Sequence, residues 1–174
     1  LLETRIQNPL ALNLYTLGFD NNKKLVPLNL AIKSNLKNYL DYYRILTDAV
    51  NIKDAFIINI GAEFEISVLS NFNSNQVLLS CIEAVQTYFD IDKWQINQPI
   101  IKSDLLNIIG NVSGVQSVLG VKFTNFHDVE QNYSPNIYDL EGATKNEVVY
   151  PSLDPSIFEV KFPKKDIKGR VVTY

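Results

Sequence analysis

One stretch of strict alternation constrains the fold of this chain more than any other feature of its sequence. Between residues 58 and 68, apolar residues take every second position. The apolar set is Ile58, Ile60, Ala62, Phe64, Ile66 and Val68, and the alternate set is Asn59, Gly61, Glu63, Glu65 and Ser67. Because successive side chains of a strand point to opposite faces, the pattern predicts a strand with one covered face and one wet face.

Two amphipathic helices are predicted after this strand, and they would supply the cover. Asn73 or Ser74 would cap the first helix. Its apolar stripe consists of Val77, Leu78, Cys81, Ile82, Val85 and Phe89. Ser103 would cap a second, shorter helix that ends between residues 110 and 114. A short strand at 94–97, halted by Pro99, and a strand at 115–126 complete this part of the pattern.

The region before the long strand predicts one more helix and a strand. From Leu28 to Leu40 apolar residues recur at spacings of three and four, and Pro27 stands where the first turn of a helix tolerates proline. Alternation through Ile45, Val50 and Ile52 then indicates a strand. Residues 1–22 show no dominant period and leave room for one short strand.

The C-terminal region is apolar and interrupted by prolines. Between Pro155 and Pro163, apolar residues alternate with charged ones. The alternating residues are Phe158, Val160 and Phe162 on one face, with Glu159 and Lys161 on the other. Prolines at both ends favour an edge strand, with one buried and one wet face. Such a strand has to lie on its own domain or on a neighbouring subunit.

Together the elements predict an α+β fold: a small mixed or antiparallel sheet with amphipathic helices on one face, followed by a hairpin and an extended C-terminal segment. The hairpin is expected where 137–140 and 147–150 flank 141–146. Three regions are predicted: 1–53 with a helix and a strand, 54–127 as a compact α+β unit, and 128–174 as the hairpin and C-terminal segment. Because the chain starts at Leu1 and contains no methionine, we expect region 1–53 to continue into a missing upstream part.

Composition narrows the class of protein. A chain of 174 residues buries roughly 70% of its unfolded surface, enough for a core without metal or disulfides. The single cysteine excludes an intrachain disulfide, and a hydrophobic fraction of 46% argues against disorder. With a net charge of −3, the chain lacks the excess of positive charge that is typical of nucleic-acid-binding proteins. The sequence has no apolar run long enough for a membrane span.

The histidine and the cysteine predict neither a metal site nor a nucleophile. His127 is the only histidine and lies in a polar loop, without the partners that zinc requires. Cys81 falls on the apolar stripe of its helix, where a free cysteine behaves as a small buried hydrophobe. We therefore expect no cofactor and no metal.

Other candidate groups have plain structural interpretations. Glu63 and Glu65 share a strand face about 7 Å apart, which suits a glycosidase acid and base, but no apolar pocket nearby would separate their roles. The spacing of Gly110, Gly114 and Gly120 matches neither the phosphate loop nor the dinucleotide fingerprint. Tyrosines cluster in two regions, where they would mark an interface or the rim of an ordinary surface. These tyrosines are Tyr39, Tyr42, Tyr43, Tyr133, Tyr138 and Tyr150.

Several long segments of the sequence, called words below, resemble those of a known protein family. The words DAVNIKDAFIINI at 48–60, VYPSLDPSIFEVKFP at 149–163 and DIKGR at 166–170 resemble the C-terminal region of the large baseplate wedge proteins of T4-like contractile-tailed phages. The word WQINQPI at 94–100 fits the same branch. The pattern over 57–121 resembles the wider baseplate J-like family, and the resemblance is weakest over 1–25.

The resemblance implies a non-enzymatic structural component of a phage tail baseplate wedge. Such a virion protein would be assembled in the host cytoplasm and form dimer and inter-wedge ring contacts around the hub, beneath the contractile sheath. Its partners would be itself and other wedge proteins, with no nucleic acid, membrane or catalytic residue. The candidate interface residues are Tyr150, Leu153, Ile157, Phe158, Val160 and Phe162.

Two alternatives stay open. One is a carbohydrate-binding or glycan-cleaving tail module that uses Trp94, exposed tyrosines, Glu63 and Glu65. The other is an adaptor domain of another contractile injection system.

Overall fold

A computed structural model describes residues 12–43 and 49–172. The chain divides into two compact units, Leu1–Ala55 and Phe56–Tyr174. The fold is α+β, as predicted, with short helices and small mixed sheets. No helix among the described residues is long and apolar enough to cross a membrane.

Residues 12–43 and 49–55 of the first unit form two small sheets and one helix. Its elements are β1 (Leu12–Thr16), β2 (Gly18–Phe19), β3 (Leu25–Val26), α1 (Leu30–Asp41) and β4 (Val50–Asp54). β1 pairs with β4 in parallel, and β2 pairs with β3 antiparallel. The predicted helix is present, but its predicted start at Pro27 is wrong. Asn29 caps it, because its side-chain oxygen accepts a hydrogen bond from the Ile32 N–H at 2.8 Å, and proline offers no such acceptor. Ile45 lies outside the described residues.

The second unit is built around one long central strand. Its first elements are β5 (Phe56–Val68), α2 (Ser74–Tyr88), β6 (Ile100–Ile101), α3 (Lys102–Gly110) and β7 (Val115–Phe126). Its later elements are β8 (Thr144–Lys145), β9 (Val148–Val149), β10 (Ser156–Glu159), α4 (Pro163–Asp166) and β11 (Ile167–Val171). β7 runs antiparallel along one edge of β5, while β10 and β11 follow one another in parallel along the other edge.

β10 and β11 pair one after the other with the same edge of β5, and the one-turn helix α4 lies between them. β10 pairs with residues 56–59 and β11 with residues 62–66, so α4 lies beside Gly61. A Cβ atom at Gly61 would lie 2.8 Å from the Asp166 carbonyl oxygen and 2.5 Å from the Phe126 ring. Only glycine therefore fits where α4 lies against the central strand.

Helices α2 and α3 cover one face of the sheet. Asn73, one of the two predicted caps, caps α2, and its side-chain oxygen accepts from the N–H groups of Asn75 and Gln76. The buried side chains of α2 are Val77, Cys81 and Val85, and those of α3 are Leu105 and Ile109. The prediction that Ser103 caps α3 is wrong, because the chain passes from β6 directly into the helix and Ile101 occupies the cap position without a side-chain hydrogen bond.

The third group of strands differs in detail from the predicted hairpin. β6, β9 and β8 form a small antiparallel sheet, and the β8–β9 turn has positive φ at Asn146 (51°) and Glu147 (62°), which is the type I′ geometry. The first arm is therefore Thr144–Lys145 and not 137–140. Residues 94–97 form no strand, because the buried Trp94 ring stacks on Phe89 and its Nε1–H donates to the Tyr88 carbonyl.

The predicted wet face of β5 is only partly wet. Glu63 and Glu65 reach solvent, but Asn59, Gly61 and Ser67 are buried. Different groups lie against each of them: the Ser134 N–H donates to the Asn59 side chain, the Phe126 ring and the Asp166 carbonyl lie against Gly61, and the Ser67 hydroxyl bonds that of Ser117. The alternating pattern predicted the strand β5 correctly. It could not predict that part of the second face of this strand is also buried.

β10 lies at a sheet edge, as predicted, yet all four of its residues are buried. Glu159, predicted to be wet, is 2% exposed and accepts a hydrogen bond from Asn59. Asn97 closes part of the outer edge: its N–H donates to the Ser156 carbonyl at 2.7 Å, and its side-chain oxygen accepts from the Ser156 N–H at 3.1 Å. A strand whose edge is covered in this way belongs to the core.

Candidate functional site

The residues with the most reactive side chains lie where they were predicted. Cys81 is fully buried on α2, and burial raises the pKa of its thiol to about 11, which suppresses the nucleophilic thiolate. His127 is exposed. Over residues 12–43 and 49–172, no three His, Cys, Asp or Glu side chains come together as metal ligands would.

Both strand glutamates contact cations on the neighbouring strand. Arg170 Nη2 lies 2.5 Å from Glu65 Oε1, and Lys168 Nζ lies 3.9 Å from Glu63 Oε1. These pairs follow the register of β5 with β11, which places the partners side by side. All four side chains are well exposed, so each pair stabilises the fold by at most about 1 kcal/mol. The glutamates lie in an open cleft and not in an apolar pocket.

A buried network of amide side chains joins three segments of the second unit. The Asn59 side chain donates to Glu159 Oε2 at 2.7 Å and accepts from the Ser134 N–H at 2.6 Å. Asn125 Nδ2 donates to the Asn59 carbonyl at 2.9 Å, and Asn136 Nδ2 donates to the Ile57 carbonyl at 2.9 Å. Because buried polar groups are costly when unpaired, this network fixes the segment 133–136 and β10 against β5.

A second buried contact fixes the one-turn helix α4. The Tyr133 hydroxyl donates to Asp166 Oδ1 at 2.6 Å, and the Phe162 N–H donates to Asp166 Oδ2 at 2.8 Å. The Tyr133 ring also stacks on Phe126. Burial, together with the contact to Asp166, raises the pKa of Tyr133. These contacts order the C-terminal segment and bring no reactive group to the surface.

The predicted interface residues fall into two groups. The side chains of Ile157, Phe158 and Val160 are buried within their own unit, and Phe162 is half-buried. Three of the candidate interface residues thus lie in the core of their own unit: Ile157 and Phe158 on β10, which pairs with β5, and Val160 directly after it. Tyr150 is 48% exposed and Leu153 is fully exposed. Two further exposed apolar residues near them were not predicted: Ile137 at 76% and Phe56 at 44%.

The segment 150–155, called the 150–155 loop below, is held in place at both ends. The Tyr138 hydroxyl donates to the Tyr150 carbonyl at 2.8 Å, and the Phe56 N–H donates to the Pro155 carbonyl at 2.9 Å. Two prolines within the loop further restrict its backbone. Leu153 thus projects into solvent from a fixed support.

Acidic residues occur in the 150–155 loop and in the two segments that are hydrogen-bonded to Tyr150, around Tyr138 and Ala143. The exposed carboxylates are those of Asp139, Glu141, Glu147 and Asp154. Two lysines offset part of this charge: Lys145 is exposed on the hairpin, and Lys102 Nζ lies 3.9 Å from Glu147 Oε2. An apolar centre with a polar, charged rim is the usual arrangement of a protein interface.

The aromatic candidates are distributed unevenly. On the first unit, Tyr42 is exposed and the exposed rings of Tyr39 and Tyr43 lie 5.1 Å apart. On the second unit, Tyr133 is buried. Trp94, the residue that a carbohydrate-binding surface would present, is only 8% exposed. An exposed indole for stacking on a sugar ring is therefore lacking at this position.

No protein-family model matches this chain, and no curated protein matches it either. The candidate site is accordingly defined by geometry: the 150–155 loop, its apolar neighbours Ile137 and Phe56, and the acidic rim.

Proposed function

We propose that this chain is a structural component of a phage tail baseplate wedge, and that it works by binding neighbouring subunits and not by catalysis. The observation that carries the proposal is Leu153, a fully exposed leucine on a loop whose two ends are hydrogen-bonded to the folded unit. The loop lies within 149–163, the longest of the words that resemble the baseplate wedge proteins.

A preordered apolar side chain suits assembly for an energetic reason. Association costs conformational freedom for every loop and side chain that becomes ordered at the interface. The 150–155 loop has already lost most of this freedom in the free chain, because its ends are tied and two of its residues are prolines. Burial of Leu153, Tyr150 and Ile137 against a partner would then contribute to the free energy of binding with little opposing loss of conformational entropy.

The neighbours in this proposal are a second copy of the chain and other wedge proteins, in dimer and ring contacts around the tail hub. A stable contact needs roughly 1,000 Å² of buried surface. The exposed apolar residues and their acidic rim are the centre and edge of one such contact. Cofactors and metals have no part in this function.

The test is a comparison of two leucine variants of the full chain. Leu153→Asp places a charge at the centre of the candidate surface, while Leu79→Asp makes the same change at another exposed position of the second unit, on α2. Each variant is co-expressed with the neighbouring baseplate proteins of its own genome, and complexes are measured by size-exclusion chromatography with light scattering.

We expect Leu153→Asp to abolish complex formation and Leu79→Asp to leave it intact. Complexes of normal mass and yield with Leu153→Asp would refute the proposal that this surface carries the assembly function.

A further inference from the structure

The 150–155 loop has a complementary surface elsewhere on the same unit. We propose that Leu153 and Asp154 of one copy bind in the cleft between β5, β7 and β11 of a second copy, so that copies associate head to tail. This inference rests on the proposed assembly function and specifies its partner and its contact surface.

The shape of the cleft suits a single projecting side chain. It is a shallow depression of about 580 Å³, lined by residues of β5, β7 and β11 that include Glu63, Glu65, Leu119, Lys168 and Arg170. Leu119 is 39% exposed and lies between Val118, opposite Ile66, and Gly120, opposite Glu65. It is therefore the extra residue of a β-bulge, a feature that redirects side chains. Leu119 offers the apolar contact that Leu153 requires.

The charge of the cleft is opposite to that of the loop. Three cations line the cleft, Lys122, Lys168 and Arg170, against the two carboxylates of Glu63 and Glu65, so its lining carries a net charge of +1. Around the 150–155 loop, by contrast, carboxylates outnumber lysines. Opposite potentials on the two surfaces favour their encounter and fix its orientation.

The geometry of the sheet requires that the partner be another molecule. The loop leads into Ser156, which is paired with Phe56 at the start of β5, whereas Arg170 in the cleft is paired with Glu65. Nine residues of strand separate these positions, which is about 30 Å at the usual rise per residue. A loop tied at both ends does not reach its own cleft across that distance.

Contact between two different surfaces has a consequence for assembly. Such an interface is heterologous: each copy uses its loop on one neighbour and its cleft on the other. Repetition gives an open array, or a closed ring if the rotation between copies closes. A two-fold dimer built on the loop alone would instead place two acidic rims against each other.

Complementation between two variants tests this arrangement directly. Leu153→Asp removes the loop contact and leaves the cleft intact, while Arg170→Glu reverses the charge of the cleft and leaves the loop intact. Lys37→Glu, which also reverses a charge but at an exposed position of α1, is the control. If Arg170→Glu lowers the urea midpoint of Trp94 fluorescence, Lys122→Glu replaces it as the cleft variant.

We expect wild type and Lys37→Glu to self-associate in sedimentation velocity, more weakly at 0.5 M salt than at 0.05 M salt. Loss of a central interface residue weakens binding by roughly 30-fold or more, so each of the two interface variants alone should be monomeric at the same concentration. Their mixture should form a dimer that contains one copy of each variant. In this dimer the intact loop of Arg170→Glu binds the intact cleft of Leu153→Asp.

Three results would overturn the inference. The first is a wild-type chain that stays monomeric to about 1 mM, a weak limit for specific association. The second is a mixture of the two variants that does not associate. The third is a cleft variant that associates like wild type while Leu153→Asp does not, which would leave the proposed function intact with a different partner surface. Normal complexes of Leu153→Asp with every baseplate partner would instead refute the proposed function itself.

Discussion

Two alanine substitutions separate the core of the C-terminal region from its surface. Phe158 is 1% exposed on β10, and its ring lies 6.0 Å from that of Tyr138 at a tilted angle. Phe158→Ala removes a buried ring and leaves a cavity, which costs about 3 to 5 kcal/mol of unfolding free energy. Leu153 is fully exposed, so Leu153→Ala should change the same quantity by less than about 0.5 kcal/mol.

The single tryptophan makes the measurement specific to the second unit. Trp94 is the only tryptophan of the chain and is 8% exposed. Its fluorescence in urea therefore reports the unfolding of the unit that contains β10. A domain is stable by only about 5 to 15 kcal/mol, so the loss in Phe158→Ala should move the urea midpoint strongly while the slope stays unchanged.

An exchange of effects between the two variants would refute this assignment of core and surface. A loss below about 1 kcal/mol in Phe158→Ala would mean that β10 is not packed in the core of this unit. A large loss in Leu153→Ala would mean that the 150–155 loop is covered by its own chain. The measurement is made at low protein concentration, so that association does not contribute to stability.

Three further predictions follow from other buried contacts. Gly61→Ala forces a Cβ against the Phe126 ring and should cost at least about 2 kcal/mol in the same urea assay. Asn59→Ala leaves the Glu159 carboxylate without its amide donor and should cost at least about 2 kcal/mol, measured in the same way. The unfolded Cys81 thiol ionises near its ordinary pKa of 9.0, while the buried thiol stays neutral to about 11. Between these values the unfolded chain binds fewer protons, so stability should fall as pH rises, and Cys81→Ala should reduce the slope. Equal slopes for wild type and Cys81→Ala from pH 8 to 11 would contradict this reading.

Local patterns were sufficient to predict the main elements of the second unit. The alternation at 58–68 and the strand at 115–126 correspond to β5 and β7, and the apolar stripe after Asn73 corresponds to α2. Period and capping act within one segment, which is why a single sequence contains enough information to find these elements.

The wrong predictions of burial concern contacts between distant segments, whereas the two misplaced helix starts, at Pro27 and Ser103, are local. Asn59 and Glu159 both look like residues of a wet face, yet each is buried because it is the hydrogen-bond partner of the other, 100 residues away. Neither local sequence reveals the partner. For the same reason the C-terminal alternation predicted an edge strand but not the cover that Asn97 provides.

The candidate site was predicted in part. Tyr150 and Leu153 are exposed as an interface requires, whereas Phe158 belongs to the core. Both kinds of residue are apolar and adjacent in sequence, so composition alone does not distinguish them. Ile137 was missed because it lies in a polar region whose proximity to the loop depends on the Tyr138 hydrogen bond to Tyr150.

The pairing of β10 and β11 with one edge of β5 has a consequence for how the protein is synthesised and folds. β10 and β11 pair with β5 in parallel, and the paired residues stand about a hundred positions apart in the chain. Long-range parallel pairing of this kind is slow, since the connecting chain must close a large loop before the contacts stabilise it. While the chain is being synthesised, one edge of β5 remains unpaired until the ribosome has released residues 156–171. Chaperone binding to nascent chains would therefore concentrate on β5, and a premature stop before residue 156 would yield a polypeptide with an open sheet edge, prone to aggregation.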